Sequence, residues 1–330
     1  MPWLASLRPA LDAMAKYLAK RGLALNTGAP VVFKSPASGL PDKGRHTTNW
    51  YDVVEFGNYD AFIAVHGVWA LDCLSRLYEA LGDAPAAAAT AAIHAAAIRD
   101  FNALFWDAAT ASYADWVDTA GGRRSYYYVD IPFTAIIAGV ANSTQAAALL
   151  QHFDTRLAEI ERTLQVKRGN IWSPPGNLYP VADGDCVQDC KAFPSYENGG
   201  SFFHSVGLQV AALGAVGRAD DAVGAFTSFI NSGFGDVRGW AQQLYWGTYG
   251  ADNTLVLGDP LNTALLSVWG LLRAGFGVVP TLGGLRSINP PATSFEGAVY
   301  NMTFFGAPVC VGVAGGMAVF CANGSGVPLM

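Results

Sequence analysis

The sequence is short of charge. Only 14% of its 330 residues are Asp, Glu, Lys or Arg, and 20 basic residues face 26 acidic ones for a net charge of -6. No basic run occurs, so the cationic footprint that nucleic acid or anionic lipid requires is missing, and neither partner is expected. Long clean apolar runs are missing as well. Arg273 interrupts "TALLSVWGLLRAGFGVV", and "APVCVGVAGGMAVF" is too short and too rich in glycine to span a bilayer, so no transmembrane segment is expected. A glycine-rich phosphate loop, H-E-x-x-H, G-x-S-x-G and the dinucleotide fingerprint are all absent, which counts against nucleotide chemistry and against any cofactor or metal. The N-terminal stretch "MPWLASLRPALDAMAKYLAKRG" reads as an amphipathic helix, without the basic n-region and apolar h-region of an export signal.

Cysteine is also scarce, at five residues, but four of the five fall in two local pairs: Cys186 with Cys190 and Cys310 with Cys321. Local pairing suggests two disulfides, and reduced buried thiols are the rival reading. A zinc site is not expected, because no histidine lies near either pair at ligand spacing. Cys73 falls inside a helical pattern. Three N-x-S/T tripeptides, at Asn142, Asn301 and Asn323, join the paired cysteines in favouring a secreted or secretory-pathway glycoprotein.

What the chain does have is apolar residues, 52% of the total with a mean hydropathy of +0.24, enough to bury a large core. They recur at helical spacing over residues 5–21, 59–82, 85–106, 131–140, 144–163, 201–216, 219–231 and 261–275. The expected fold is mainly α, a set of helical hairpins closed into a toroid. Between the helices lie long loops rich in aromatics and glycine, at 23–58, 107–130, 165–200 and 232–260, longer than ordinary connectors and therefore candidate carriers of function. After Pro280 the texture changes to short β-type runs, which suggests a helical domain over 1–279 and a small β-rich element over 280–330.

Three stretches combine residue types suited to carbohydrate chemistry. In "TTNWYDVVEFGNYDAF", Trp50 and Tyr51 precede Asp52, Glu55 follows, and Asn58 or Asp60 is placed to cap the next helix. Aromatics beside a carboxylate stack on sugar rings and dehydrate the carboxyl, which raises its pKa toward the general-acid range. A capping or turn role for Asp52 is the alternative. In "YENGGSFFH", Asn198-Gly199-Gly200 signals a turn, Ser201 reads as an N-cap, and Glu197 and His204 flank the turn; a solvated glutamate and a core histidine are the bland alternative. In "GWAQQLYWGTYG", Trp240, Gln242, Gln243, Tyr245 and Trp246 offer planar faces and amides that suit neutral polyhydroxylated ligands, with Arg238 just before them. Arg123, Arg124 and "SYYYVD" either line a pocket or decorate a turn, and "WSPPGNLYP" is a candidate lid.

The order of these motifs, from the tryptophan loop through "ALDCLSRLYEALGDAPAAA", "IRDFNALFWDAATASYAD", "YENGGSFFH" and "DPLNTALLSVWGLLRAGFGVVPTLGGLRSINP" to "EGAVYNMTFFG", resembles the six-hairpin glycosidase superfamily over roughly residues 45–310. Within it the inverting disaccharide phosphorylases of the cellobiose and chitobiose type are most similar. The resemblance implies an (α/α)6-type toroid, here with fewer helical segments than a complete barrel and expected to be incomplete at the N-terminus. It also implies a general acid at Asp52 and phosphate contacts from His204 and Thr263. The family's D-W-N-D loop reads Asn49-Trp50-Tyr51-Asp52 in this chain.

These readings converge on a carbohydrate-active enzyme. The leading expectation is an inverting glycoside hydrolase, with Asp52 and Glu197 as the acid and base that flank a water. A phosphorylase would place inorganic phosphate, as co-substrate, where that water sits, held by His204, Thr263 and Arg238. A catalytically silent sugar-binding protein is the reading from another class. Paired cysteines and N-x-S/T tripeptides favour the hydrolase.

Overall fold

The computed structural model describes residues 2–24, 30–33, 49–51, 53–163, 174–186, 190, 193–194, 197–234, 243–246, 253–256, 269–281, 284–288, 291–294, 297–304, 307–315 and 317–322. Asp52, Arg238, Trp240, Gln242 and Thr263 lie outside them, as does Tyr196 of the "YENGGSFFH" stretch. The chain divides into two compact units, one of residues 1–160 with 176–200, the other of 161–175 with 201–330.

In the first unit, α1 (Pro2–Ser6) and α2 (Arg8–Arg21) lead to the hairpin of α3 (Ala61–Ala80) and α4 (Ala84–Phe105). Asp60 starts α3: its carboxylate accepts the N–H groups of Phe62 at 2.9 Å and Ile63 at 3.2 Å, so of the two candidate caps it is the one that acts. The helix buries a stripe of Ala64, Val65, Val68, Leu71, Leu74 and Tyr78. It ends at Leu81-Gly82, where the φ of +76° suits glycine, and Asp83 restarts the chain by accepting the Ala86 N–H at 3.0 Å. On this hairpin α2 packs Leu11 against Leu74 and Tyr78. Arg8 fixes the contact through ion pairs with Asp12 and Asp83.

The unit continues with α5 (Asp130–Ile137), buried along its whole length, and α6 (Ser143–Thr163), whose last turn passes into the second unit. Asn142 and Gln145 exchange side-chain and backbone bonds at 3.0 and 2.9 Å, which satisfies two of the free N–H groups at the start of α6. A small antiparallel sheet of Tyr59–Asp60, Trp116–Val117 and Arg123–Arg124 closes the loops over the mouth of α3.

The second unit holds the hairpin of α7 (Phe203–Ala215) and α8 (Ala219–Ser228), a π-helical turn at Phe229–Phe234 and α9 (269–274). A Cβ at Gly214 would stand 2.6 Å from the Ala274 Cβ, so the backbones of α7 and α9 approach closely. Ser201 does not cap α7 as its residue type suggests. Ser201–Phe202 instead pairs with Gln243–Leu244 in a three-stranded sheet with Asn253–Val256, and α7 has no side-chain cap. Toward the C-terminus, Val278–Thr281 pairs with Gly284–Ser287, and Gly297–Phe304, Ala307–Ala314 and Met317–Ala322 form an antiparallel meander. Phe276, Val278, Val311 and Val313 make its core.

The fold is therefore mainly α, with helical hairpins and small sheets. The β-rich segment falls within the same unit as α7 and α8. Cys186 and Cys190 form a disulfide, Cys310 is disulfide-bonded and stands opposite Cys321 in the meander, and Cys73 on α3 is a free thiol. No helix among the described residues is long and apolar enough to cross a membrane.

Candidate functional site

The tryptophan loop folds inward on its aromatics. Tyr51, 1% exposed, stacks on Trp50 at 4.1 Å and on Phe56 at 4.9 Å, and meets the Tyr128 ring edge-on at 4.6 Å. Phe56 in turn contacts Trp116. Rings of this size bury roughly 150–250 Å² each, so the cluster anchors the loop as well as shaping it. Trp50, at 36% exposed, is the ring of this group that turns a face to solvent. Asn49 sets the start of the turn: its Oδ1 accepts the Tyr51 N–H and its Nδ2 donates to Asp60, both at 2.9 Å.

Glu197 reaches this loop from the other end of the unit's sequence. Its Oε2 accepts the Val53 N–H at 2.9 Å, across 144 residues of chain. Its carbonyl accepts the Tyr128 hydroxyl at 2.8 Å. The side chain is fully buried, as is that of Glu55. Around Glu197 the turn is sewn down: Asn198 Oδ1 accepts the Val181 N–H at 2.9 Å, and the buried Asn177 takes the Gly199 N–H. Gly199 has a φ of +91° and its missing Cβ would overlap the Phe193 ring, so the glycine of this turn is required twice over.

Glu55 is held through its backbone. Its N–H donates to the Asp185 carbonyl at 2.9 Å, and the adjacent Val54 bridges Cys186. The Cys186–Cys190 disulfide thus closes the segment on which the Trp50–Glu55 loop leans, and Cys190 Sγ lies 3.4 Å from the Val53 carbonyl oxygen.

The residues 126–128 join these parts. Asp115, fully buried, accepts the Tyr126 N–H at 2.5 Å and the Tyr128 N–H at 2.9 Å. This fixes a loop in which Tyr127 adopts the left-handed φ of 57°. The Tyr126 hydroxyl bonds Asp185, and the Arg124 guanidinium pairs with Asp118 at 3.1 Å and reaches Asp185 at 3.5 Å. Tyr51 stands 3.5 Å from an Asp130 oxygen.

So many acids in one dry region have an electrostatic consequence. Burial pushes the Asp115 carboxyl up from its ordinary 3.8 to about 7, against the backbone N–H bonds that favour its charged form, and nearby Asp60 adds to the rise. The Tyr51 and Tyr128 phenols are pushed well above 10, first by burial and then by the surrounding carboxylates. They act as neutral donors and ring surfaces.

Within the first unit the structure brings together Trp50, Tyr51, Glu55, Glu197 and Asn198 among the residues expected from sequence. In the second unit, half-buried His204 lies in the first turn of α7 beside the Phe202 ring, at 5.7 Å. Gln243, Tyr245 and Trp246 lie on the strand paired to Ser201–Phe202 and Asn253–Val256. Asp115 and Asp185 belong to the site's scaffold and were not singled out from sequence, whereas Tyr128, also part of it, comes from the "SYYYVD" stretch that reads as either a pocket lining or a turn. The signal for the tyrosine was the Tyr126-Tyr127-Tyr128 run; for the two aspartates a local signal was missing. Among the described residues, no group of three or more His, Cys, Asp or Glu is arranged to hold a metal ion.

No protein-family model matches the chain, and no curated protein does. Among solved structures, the chain is similar in fold to a GH78 family rhamnosidase of Bacillus sp. GL1, with a TM-score of 0.56 and 16% identity over 97% of this chain. GH78 is a glycosidase family of the six-hairpin α/α-toroid kind, the architecture the motif order resembles. This chain spans 29% of the length of that rhamnosidase.

Proposed function

We propose that the protein is an inverting glycoside hydrolase whose site is built on the Trp50–Glu55 loop and Glu197. The observation that carries this reading is the bond from the Val53 N–H to Glu197 Oε2 at 2.9 Å, which joins a carboxylate to the backbone next to Asp52. In the proposed mechanism Asp52 protonates the leaving oxygen, and Glu197 activates a water on the opposite face of the sugar, with the carboxyl groups about 6.5–9.5 Å apart to admit that water. Trp50 is proposed to supply a stacking face, with the buried Glu55 and Asn198 as the polar groups behind it. His204, Arg238, Trp240, Gln242, Gln243, Tyr245, Trp246 and Thr263, all of the second unit, are proposed as sugar-binding residues on their residue types. The fold likeness to a rhamnosidase supports carbohydrate as the substrate class and makes rhamnosides natural members of a first panel.

The test is incubation with a panel of glycosides, with and without inorganic phosphate, scored for free sugar and sugar 1-phosphate and for anomeric configuration by proton NMR. Free sugar of inverted configuration is expected, and Asp52→Asn and Glu197→Gln should each abolish it while folding is kept. Phosphate-dependent sugar 1-phosphate would make the enzyme a phosphorylase. Sugar binding without turnover under any condition would refute catalysis and leave a carbohydrate-binding protein.

A further inference from the structure

Tyr127 points away from the site its neighbours build. The hydroxyls of Tyr126 and Tyr128 go to Asp185 and Glu197, whereas that of Tyr127 donates to the Leu149 carbonyl on α6 at 2.6 Å. There α6, the turn at Thr110–Ala111 and Tyr179 line an open surface groove of about 350 Å³, at the low end of the roughly 300–1,000 Å³ range of small-ligand clefts.

The polar groups of this groove are fixed in advance. His152 Nδ1–H donates to the Thr110 carbonyl at 3.1 Å, its Nε2 meets the Tyr179 hydroxyl at 2.8 Å, and its ring rests on Tyr127 at 4.7 Å. Arg156 donates through Nε to the Leu178 carbonyl at 3.1 Å, pairs with Glu159 at 2.7 Å and lies over the Tyr179 ring at 4.6 Å. Side chains already held in one rotamer lose little entropy when a ligand arrives. The backbone is unusual here too. Ala111 at φ 50° and Tyr127 at φ 57° are the non-glycine residues with positive φ among those described; one lines the groove and the other supports His152. Left-handed non-glycine residues are strained and gather at ligand sites.

The lining selects the ligand. Arg156 and Glu159 cancel in charge and present donors beside an acceptor, the set that adjacent hydroxyls of a sugar ring match, whereas a phosphate or carboxylate would be repelled by Glu159. Gln151 and Thr155, exposed on α6, add an amide and a hydroxyl, and the methyl groups of Ala111 and Ala148 offer a small apolar floor for a C–H face. We propose that this groove is a second saccharide-binding site, taking one or two neutral sugar units on the far side of the tyrosine loop from Glu197. The choice of ligand rests on the carbohydrate reading above, but the site does not depend on turnover.

The experiment labels alanine methyl groups in the full chain and titrates it with cellobiose and with methyl rhamnoside. The Ala111 and Ala148 methyl signals are expected to shift and saturate with at least one of the two sugars, equally in the wild type and in Glu197→Gln. Thr155→Trp, which fills the groove from an exposed position, should weaken that response at least tenfold with thermal midpoint unchanged; Gln151→Ala should weaken it less. Ala111 and Ala148 signals that stay still with both sugars, or that respond normally in Thr155→Trp, overturn the site. Tighter binding of glucose 6-phosphate than of the neutral sugars at the same methyls overturns the ligand class. Absence of turnover together with a normal methyl response would sink the hydrolase reading alone.

Discussion

The Tyr128 hydroxyl donates to the carbonyl of Glu197 at 2.8 Å, both residues fully buried, so a ring on the loop before α5 holds the backbone of the proposed base. Tyr128→Phe keeps the ring stack and removes this buried hydrogen bond, at a cost of about 1–3 kcal/mol. The thermal midpoint should fall by several degrees. If Glu197 acts in catalysis, kcat should drop while KM for a good glycoside changes little, because the ground-state contacts lie elsewhere. An unchanged kcat in a folded variant would separate this bond from function.

Gly199→Ala probes the same turn from the other side. A side chain there meets the Phe193 ring and forces a residue at φ +91° out of its favoured region. About 1–2 kcal/mol from the backbone and a further packing penalty should add up to one of the more damaging single methyl additions in the molecule. Denaturant midpoints compared with Gly82→Ala, whose Cβ meets nothing within 4 Å at φ +76°, isolate the packing part. Equal losses in the two variants would show that Phe193 moves aside freely.

Much of this arrangement was legible before any coordinates. The helical hairpins follow from the 3.6-residue spacing of residues such as Val68, Leu71 and Leu74, and Asp60, one of two candidate caps, marks the start of α3 because a short acidic side chain is the right length to reach a free N–H. The Asn198-Gly199-Gly200 turn was legible for a similar local reason. Ser201 was misread as a cap because strand pairing with Leu244, far along the chain, decides its conformation. Asp115 and Asp185 were invisible for the same reason: each acts on backbone or hydroxyl groups brought in by tertiary folding, from 11 residues away for Asp115 to Tyr126 and 59 for Asp185 to Tyr126. Nor did the aromatic loop say which ring it buries; Tyr51 goes in and Trp50 stays out because Tyr128 and Phe56 already form the slot.

Reduction of the Cys186–Cys190 bridge should act locally. The loop it closes is short, with a sequence separation of 4, so the chain-entropy contribution is about 2 kcal/mol. The bridge sits where Val54 pairs with Cys186 and where the Asp185 carbonyl takes the Glu55 N–H. A Cys186→Ser/Cys190→Ser double variant should therefore lose a few degrees of thermal midpoint and a larger share of turnover. Hydrogen exchange at the Glu55 amide supplies the direct readout: protection unchanged in the double variant would rule out this coupling.

The final prediction concerns pH. Asp115 is held protonated up to about pH 7 in the folded protein by burial, with Asp60 close by, whereas in the unfolded chain it titrates near its ordinary 3.8. Between those values the folded state binds more protons than the unfolded one, so this group makes stability fall as pH rises from about 4 to 7, by at most about 1.4 kcal/mol per pH unit. Above pH 7 the loss is complete and the slope from this group vanishes. The charged form keeps both backbone bonds, from Tyr126 and Tyr128, and the protonated form weakens one of them, so the two demands oppose each other at one side chain. Asp115→Asn removes the titration and mimics the protonated form at every pH. The wild-type thermal midpoint minus that of Asp115→Asn should therefore decline steadily between pH 5 and 7 and level off above. A difference that is flat over this interval, or that rises with pH, would mean that the backbone bonds outweigh burial and that Asp115 is an ordinary carboxylate holding the tyrosine loop at all working pH values.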